Sequence, residues 1–206
     1  MIEVIDVSKH YMVQGMKKEV FSNFSLTIKQ GERFALMGRN GAGKSTLLRL
    51  LCGIEKPNKG KVNITSSLSW AVGVAGGFIP TLTGKENIKF VCRLFRNTHE
   101  ETKAKIEFVK DFAQIGDYIN MPVQTYSSGM RSRLSFGLSM SFDFDFYIVD
   151  EAMAVGDVSF KKKSREVFQQ KSADKGIIMV SHSMNTVREY CDRGIFLGPD
   201  GMCQEK

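Results

Sequence analysis

No apolar run in this sequence approaches the roughly 18–20 residues that a membrane-spanning helix needs. Proline is scarce, with 4 in 206 residues, and there is no low-complexity tract or long linker to separate independent domains. The four cysteines, Cys52, Cys92, Cys191 and Cys203, stand far apart, which excludes a closely spaced zinc motif and a disulfide-stapled scaffold. They are read as free thiols. Repeats and heptad runs are missing too, so solenoids and long coiled coils are excluded. The first residues carry Glu3 and Asp6 where a secretory leader would carry bases, so a cytoplasmic protein is expected. What is present is a chain with 42% apolar content, enough for a core, and a formal charge of +7. That charge suits nucleic acid, an anionic lipid surface or polyphosphate ligands, and does not choose among them.

The pattern along the chain alternates between strand and helix. Residues Ile2–Ile5, Val20-Phe21 and Phe24–Lys29 read as short antiparallel strands joined by the polar stretch Gln14–Glu19. Arg33–Met37 reads as a buried strand entering a glycine-rich turn, after which Lys44–Cys52 has helical composition and Pro57–Gly60 breaks it. Ile88, Val91, Cys92 and Phe95, then Ile106, Val109 and Ala113, fall at helical spacing, so a helical block is expected from about Thr83 to Met140. Strand patterns return at Phe146–Val149, Ile177–Val180 and Ile195–Leu197 with helices between, the alternation of a mostly parallel sheet. The expected division is residues 1–82 and 141–206 for the α/β part, with 83–140 as the helical insert.

The chemistry centres on Gly38-Arg39-Asn40-Gly41-Ala42-Gly43-Lys44-Ser45, a full match to G-x-x-x-x-G-K-[ST] between a strand and a helix. Glycines let the backbone curl so that N–H groups converge on phosphate oxygens, and the helix N-terminus adds positive potential. Lys44 is expected on the β- and γ-phosphates, Ser45 on Mg²⁺, with Thr46 beside it. About a hundred residues on, Phe146–Val149 ends in Asp150-Glu151. By itself an apolar strand ending in two acids is common; behind a P-loop, Asp150 is expected to serve Mg²⁺ and Glu151 to polarise the attacking water.

At this point several ordered motifs resemble one family. Tyr126-Ser127-Ser128-Gly129-Met130 resembles the signature loop of ATP-binding cassette proteins, where L-S-G-G-Q is the common form. Tyr11 stands where that family has an aromatic on adenine, Ala154–Asp157 resembles the D-loop, and Val180-Ser181-His182 resembles the switch-histidine loop. Thr81–Asn87 is similar to the L-T-x-x-E-N entry into the family's helical subdomain. The resemblance implies an α/β nucleotide-binding domain with a mostly parallel core sheet, an antiparallel β subdomain and an inserted helical subdomain. It also implies ATP and Mg²⁺ as ligands, catalytic roles for Lys44, Glu151 and His182, and Ser127, Ser128 and Gly129 aimed at the ATP of a second copy. The loops Ser69–Phe78, Tyr126–Leu134 and Val155–Lys161 resemble more narrowly the ATPases of bacterial capsular-polysaccharide exporters, with O-antigen and teichoic-acid exporters as relatives. An end at Lys206 leaves no room for the added carbohydrate-binding domain of many O-antigen ATPases, which favours the capsule branch. The expected partners are a second copy and a separate polytopic permease, without nucleic acid, at the cytoplasmic face of the inner membrane.

One departure stands out: there is no glutamine between Leu47 and Ala113, where the family has its Q-loop. The same region here is Ala71–Phe78, with Trp70 and Phe78 at its edges as either subdomain core or membrane-partner contacts. Lys161–Lys163 read as a solvated helix face, and His10 and His99 as surface residues. Two other classes fit less of the sequence. A soluble cassette ATPase acting on DNA or ribosomes would generally carry two cassettes or a coiled-coil insert, and a small P-loop kinase would lack Tyr126–Met130.

Overall fold

A two-residue turn organises the first thirty residues. In the computed structural model, which describes residues 1–72, 77–150, 157–181, 183–198 and 203–205, β1 (Ile2–Val13) and β2 (Met16–Ile28) form one long antiparallel hairpin. Gln14 (φ 51°) and Gly15 (φ 80°) both take left-handed conformations. That geometry matches strand twist and closes the hairpin without a further loop. The polar stretch expected as a connector therefore lies mostly in β2: its lysines mark an exposed strand, not a loop. Edge strand β4 (Lys59–Ile64) pairs with the other side of β1, completing a three-stranded sheet. Gly60 (φ 78°) makes this possible, because a Cβ there would sit 2.4 Å from the carbonyl oxygens of Ile5 and Asp6.

The chain divides into two units. The first comprises residues 1–70, 144–151 and 172–206. Besides the hairpin sheet it holds a five-stranded sheet in the order β5-β6-β3-β7-β8. Strands β3 (Arg33–Gly38), β5 (Phe146–Asp150), β6 (Gly176–Val180) and β7 (Arg193–Leu197) run parallel, and β8 (Cys203–Glu205) is antiparallel at the edge. All five residues of β6 and residues 34–38 of β3 are buried, as expected for the middle of a parallel sheet covered on both faces. Helices α1 (Lys44–Leu51) and α6 (Met184–Tyr190) belong to this unit, and Val187 of α6 packs on Ala35 and Met37 of β3.

The second unit, residues 71–143 and 152–171, is helical and wider than the 83–140 expected from sequence. Thr83 and Glu86 form a reciprocal capping box at α2 (Gly84–Leu94), and Thr98 with Glu101 repeats it at α3 (His99–Ala113). Helix α4 (Ser128–Met140) is buried all round from Leu134 to Met140. Helix α5 (Val158–Lys171) joins these helices because the Phe160 ring packs edge-on against Phe112 at 5.2 Å. Lys163 of α5 also donates to the Asp111 and Phe112 carbonyls at the end of α3 (3.2 and 3.1 Å), a favourable place for a cation. Asp157, just before α5, accepts from Ser159 Oγ (2.6 Å) and the Phe160 amide (3.0 Å) and pairs with Arg133 of α4. These donors pull its carboxyl pKa down to about 2. The contribution is present above the unfolded value and lost as pH falls through about 2.

Asn87 fastens the entry to the helical unit. It is 1% exposed, accepts from the Ile79 amide (2.8 Å) and donates to the carbonyls of Ile79, Leu82 and Thr83 (3.0–3.2 Å). Asn87→Ala leaves buried backbone groups unpaired and should destabilise the protein by about 1–3 kcal/mol in urea unfolding. A loss near zero would mean that water replaces the amide freely.

Candidate nucleotide site

Strand β3 delivers the chain to Gly38, and helix α1 takes it up again at Lys44. Between them the backbone passes through left-handed glycines at 41 (φ 83°) and 43 (φ 99°). Gly43 has little room as well: a Cβ there would meet Val20 Cγ1 at 2.7 Å and Phe21 Cζ at 2.9 Å. No side chain caps α1, and no acid lies in its first turn. Its first amides and the positive end of its dipole therefore face the loop with no side-chain cap or first-turn acid against them. Lys44 turns its ammonium back onto the carbonyl oxygens of Gly38 (2.6 Å) and Arg39 (3.0 Å), closing the loop into a ring. The Ser45 side chain is exposed and makes no hydrogen bond among the described residues, so a single hard oxygen of the kind Mg²⁺ prefers is free at the helix start.

A cleft of about 470 Å³ lies against this loop. Its polar floor runs from Asn40 to Thr46, and Tyr11, Val13, Lys18 and Val20 of the hairpin form its wall. Tyr11 is held in place from behind. Its hydroxyl donates to Glu55 Oε2 (2.7 Å) and lies 3.4 Å from Thr46 Oγ1, while Lys9 and Arg49 pair with the same carboxylate at 3.0 and 3.4 Å. The Tyr11 hydroxyl first, and then Lys9, hold the Glu55 carboxyl below the usual carboxylate range. The structure thus brings Tyr11 to the same cleft as Asn40, Gly41, Gly43, Lys44, Ser45 and Thr46. Lys18 and Glu55 were not singled out from sequence. Lys18 enters because it pairs directly across the hairpin with Tyr11, a register that depends on the Gln14-Gly15 turn.

The remaining expected site residues are distributed as follows. Asp150 ends β5. Ser127, Ser128 and Gly129 open α4 in the helical unit, where Ser127 Oγ accepts the Met130 amide at 3.2 Å. Among the described residues Gly129 has no neighbour that demands glycine: the nearest of their atoms to a Cβ would be Ser127 Oγ at 3.9 Å. Glu151, His182, the D-loop residues 154–156 and the glycine-rich residues 73–76 lie outside the described residues. Trp70 packs edge-on against Phe144 at 5.5 Å.

A family model described as "ABC transporter" matches residues 21–154. The chain is 51% identical over 195 residues to the polysialic acid transport ATP-binding protein KpsT of Escherichia coli, covering 95% of this chain and 87% of that protein. It is 41% identical to the capsule polysaccharide export ATP-binding protein CtrD of Neisseria meningitidis, covering 99% and 93%. Among solved structures, the dimeric ATP-binding cassette MJ0796 bound to ADP and Pi superimposes with a TM-score of 0.81 at 21% identity, over 100% of this chain and 98% of that one. With a glycine loop closed by Lys44 between β3 and α1, and with relatives this similar over nearly their full lengths, this chain belongs to the ABC transporter family.

Proposed function

We propose that this chain is the ATP-hydrolysing subunit of an exporter that carries capsular polysaccharide or a related glycan through a separate membrane subunit. The observation that carries the ATPase reading is the single cleft joining the Lys44-closed loop to the anchored Tyr11. The polysaccharide reading rests on relatives whose names specify polysialic acid transport and capsule polysaccharide export. No helix among the described residues is long and apolar enough to cross a membrane; in this reading the translocation path belongs to a separate membrane subunit. The cassette then works at the cytoplasmic face of the inner membrane.

In this reading the Tyr11 ring stacks on adenine while the loop amides and Lys44 hold the β- and γ-phosphates. Lys44 gives up its contacts to the Gly38 and Arg39 carbonyls in favour of phosphate oxygens, a stronger charge-assisted exchange. Ser45 and Asp150 hold Mg²⁺, which when bound neutralises charge on the phosphates. Glu151 polarises the water that attacks the γ-phosphorus, and His182 contacts the γ-phosphate as the bond to ADP breaks. The open side of that phosphate is covered by Ser127, Ser128 and Gly129 of a second copy. The room at Gly129 supports this, because nothing among the described residues of its own chain requires glycine there. Without a Q-loop glutamine, the segment around Gly77 contributes backbone rather than a side-chain amide. Gly77 stands at φ 100°, so a valine there tests backbone strain before it tests docking.

Lys44→Ala should lower kcat/KM for ATP by about 10- to 150-fold, the worth of one hydrogen bond from a charged group, with the fold retained by circular dichroism. Hydrolysis at the parent rate would remove Lys44 from the phosphate site. Glu151→Gln should slow hydrolysis by roughly 10²–10⁴ and shift the protein from monomer to dimer on gel filtration with MgATP. A variant that hydrolyses at the parent rate would assign the water-polarising role elsewhere.

A further inference from the structure

Outside the nucleotide cleft, the helical unit holds a second cavity of about 500 Å³ between α2 and α3. Lys85, Lys89 and Arg93 line it from α2 at four-residue spacing, which stacks them along one side of the helix. His99 and Lys103 face them from α3 at the same spacing, so His99 is more than an incidental surface residue. Glu107 is the one carboxylate in the lining. None of these five basic side chains forms a salt bridge or a side-chain hydrogen bond among the described residues, although exposed carboxylates stand close by. Glu86 and Glu101 are instead committed to the capping boxes of the two helices. Asn97 closes the end of the cavity with its Oδ1 shielded from water and unpartnered.

An array of cations around a concave space, with no direct salt bridge among the described residues, calls for an anion with more than one charge or more than one contact. The other flank of α2 indicates where that ligand resides: Phe90 and Leu94, one turn apart, are 42% and 65% exposed. A helix with a cationic stripe on one flank and an exposed apolar pair on the other has the composition of a membrane-surface helix. We propose that the α2–α3 groove seats the headgroup of an anionic phospholipid, with Lys85, Lys89, Arg93 and Lys103 around the phosphate and Phe90 and Leu94 against the acyl boundary. This contact belongs to the cassette itself and does not rest on the nucleotide assignments above.

The test is co-sedimentation of the full chain with phosphatidylcholine vesicles, with and without phosphatidylglycerol, under saturating MgADP so that the nucleotide cleft is filled. Each cation at an anionic surface strengthens partition about fivefold. The triple variant Lys85→Gln/Lys89→Gln/Arg93→Gln should therefore lose roughly a hundredfold of the phosphatidylglycerol-dependent binding. These side chains are exposed, so its circular dichroism and melting temperature should match the parent. A control of equal charge change away from the groove, Lys59→Gln/Lys61→Gln/Lys162→Gln, should bind as the parent does. Equal loss in both triple variants would reduce the effect to net charge and overturn the site. Binding of free glycerol 3-phosphate with no vesicle binding would overturn the membrane assignment.

Discussion

The Lys44 ammonium, drawn onto the carbonyl oxygens of Gly38 and Arg39, is the interaction around which the molecule is arranged. For it to form, the chain must leave a buried strand, reverse through left-handed backbone, and start a helix within six residues. The sheet provides the fixed end: β3 lies between β6 and β7, with Arg33–Leu36 paired to β6 and Gly38 itself paired to Leu197 of β7. The hairpin supplies the crowding that restricts residue 43 to glycine, through Val20 and Phe21. A cation held by carbonyls is poorly compensated, and so the loop is poised to trade those carbonyls for phosphate.

The hairpin side of the cleft is fixed in the same way. A lone tyrosine near the tip of the hairpin could rotate, but Tyr11 is tied through its hydroxyl to Glu55, which is itself fixed by Lys9 and Arg49. An aromatic anchored by its polar end loses little entropy when a ligand stacks on its face. The helical unit follows a separate logic. Two reciprocal capping boxes and the Asn87 hub hold its entry, and the buried Phe112, Phe136 and Phe160 rings form its interior, with the more exposed Phe108 stacked on Phe112.

How much was legible in the sequence depends on the range of the forces involved. The loop from Gly38 to Ser45 was fully readable because its chemistry is local: glycine for φ, lysine for charge, strand before and helix after. The entry at Thr83–Glu86 was readable for the same reason. The long hairpin was not, since Lys17, Lys18 and Glu19 resemble a loop by composition and only pairing with β1 makes them a strand. Strand β4 was hidden behind a helix-breaking Pro57–Gly60 signal that also begins a strand. The allegiance of α5 rests on Phe160 meeting Phe112, and that of Glu55 on meeting Tyr11 across 44 residues. Contacts at such separations leave no local pattern to read.

The central claim is that ATP is held between two copies, by the glycine loop of one and the opening of α4 in the other. Hydrogen–deuterium exchange with Mg²⁺ and a non-hydrolysable ATP analogue tests it over a range of protein concentrations. The account predicts slowed exchange at residues 38–46 at every concentration. A second zone of protection, at residues 127–131, should appear only as the concentration rises into the dimer range. Protection confined to 38–46 at all concentrations, with size measurements showing a dimer, would contradict it.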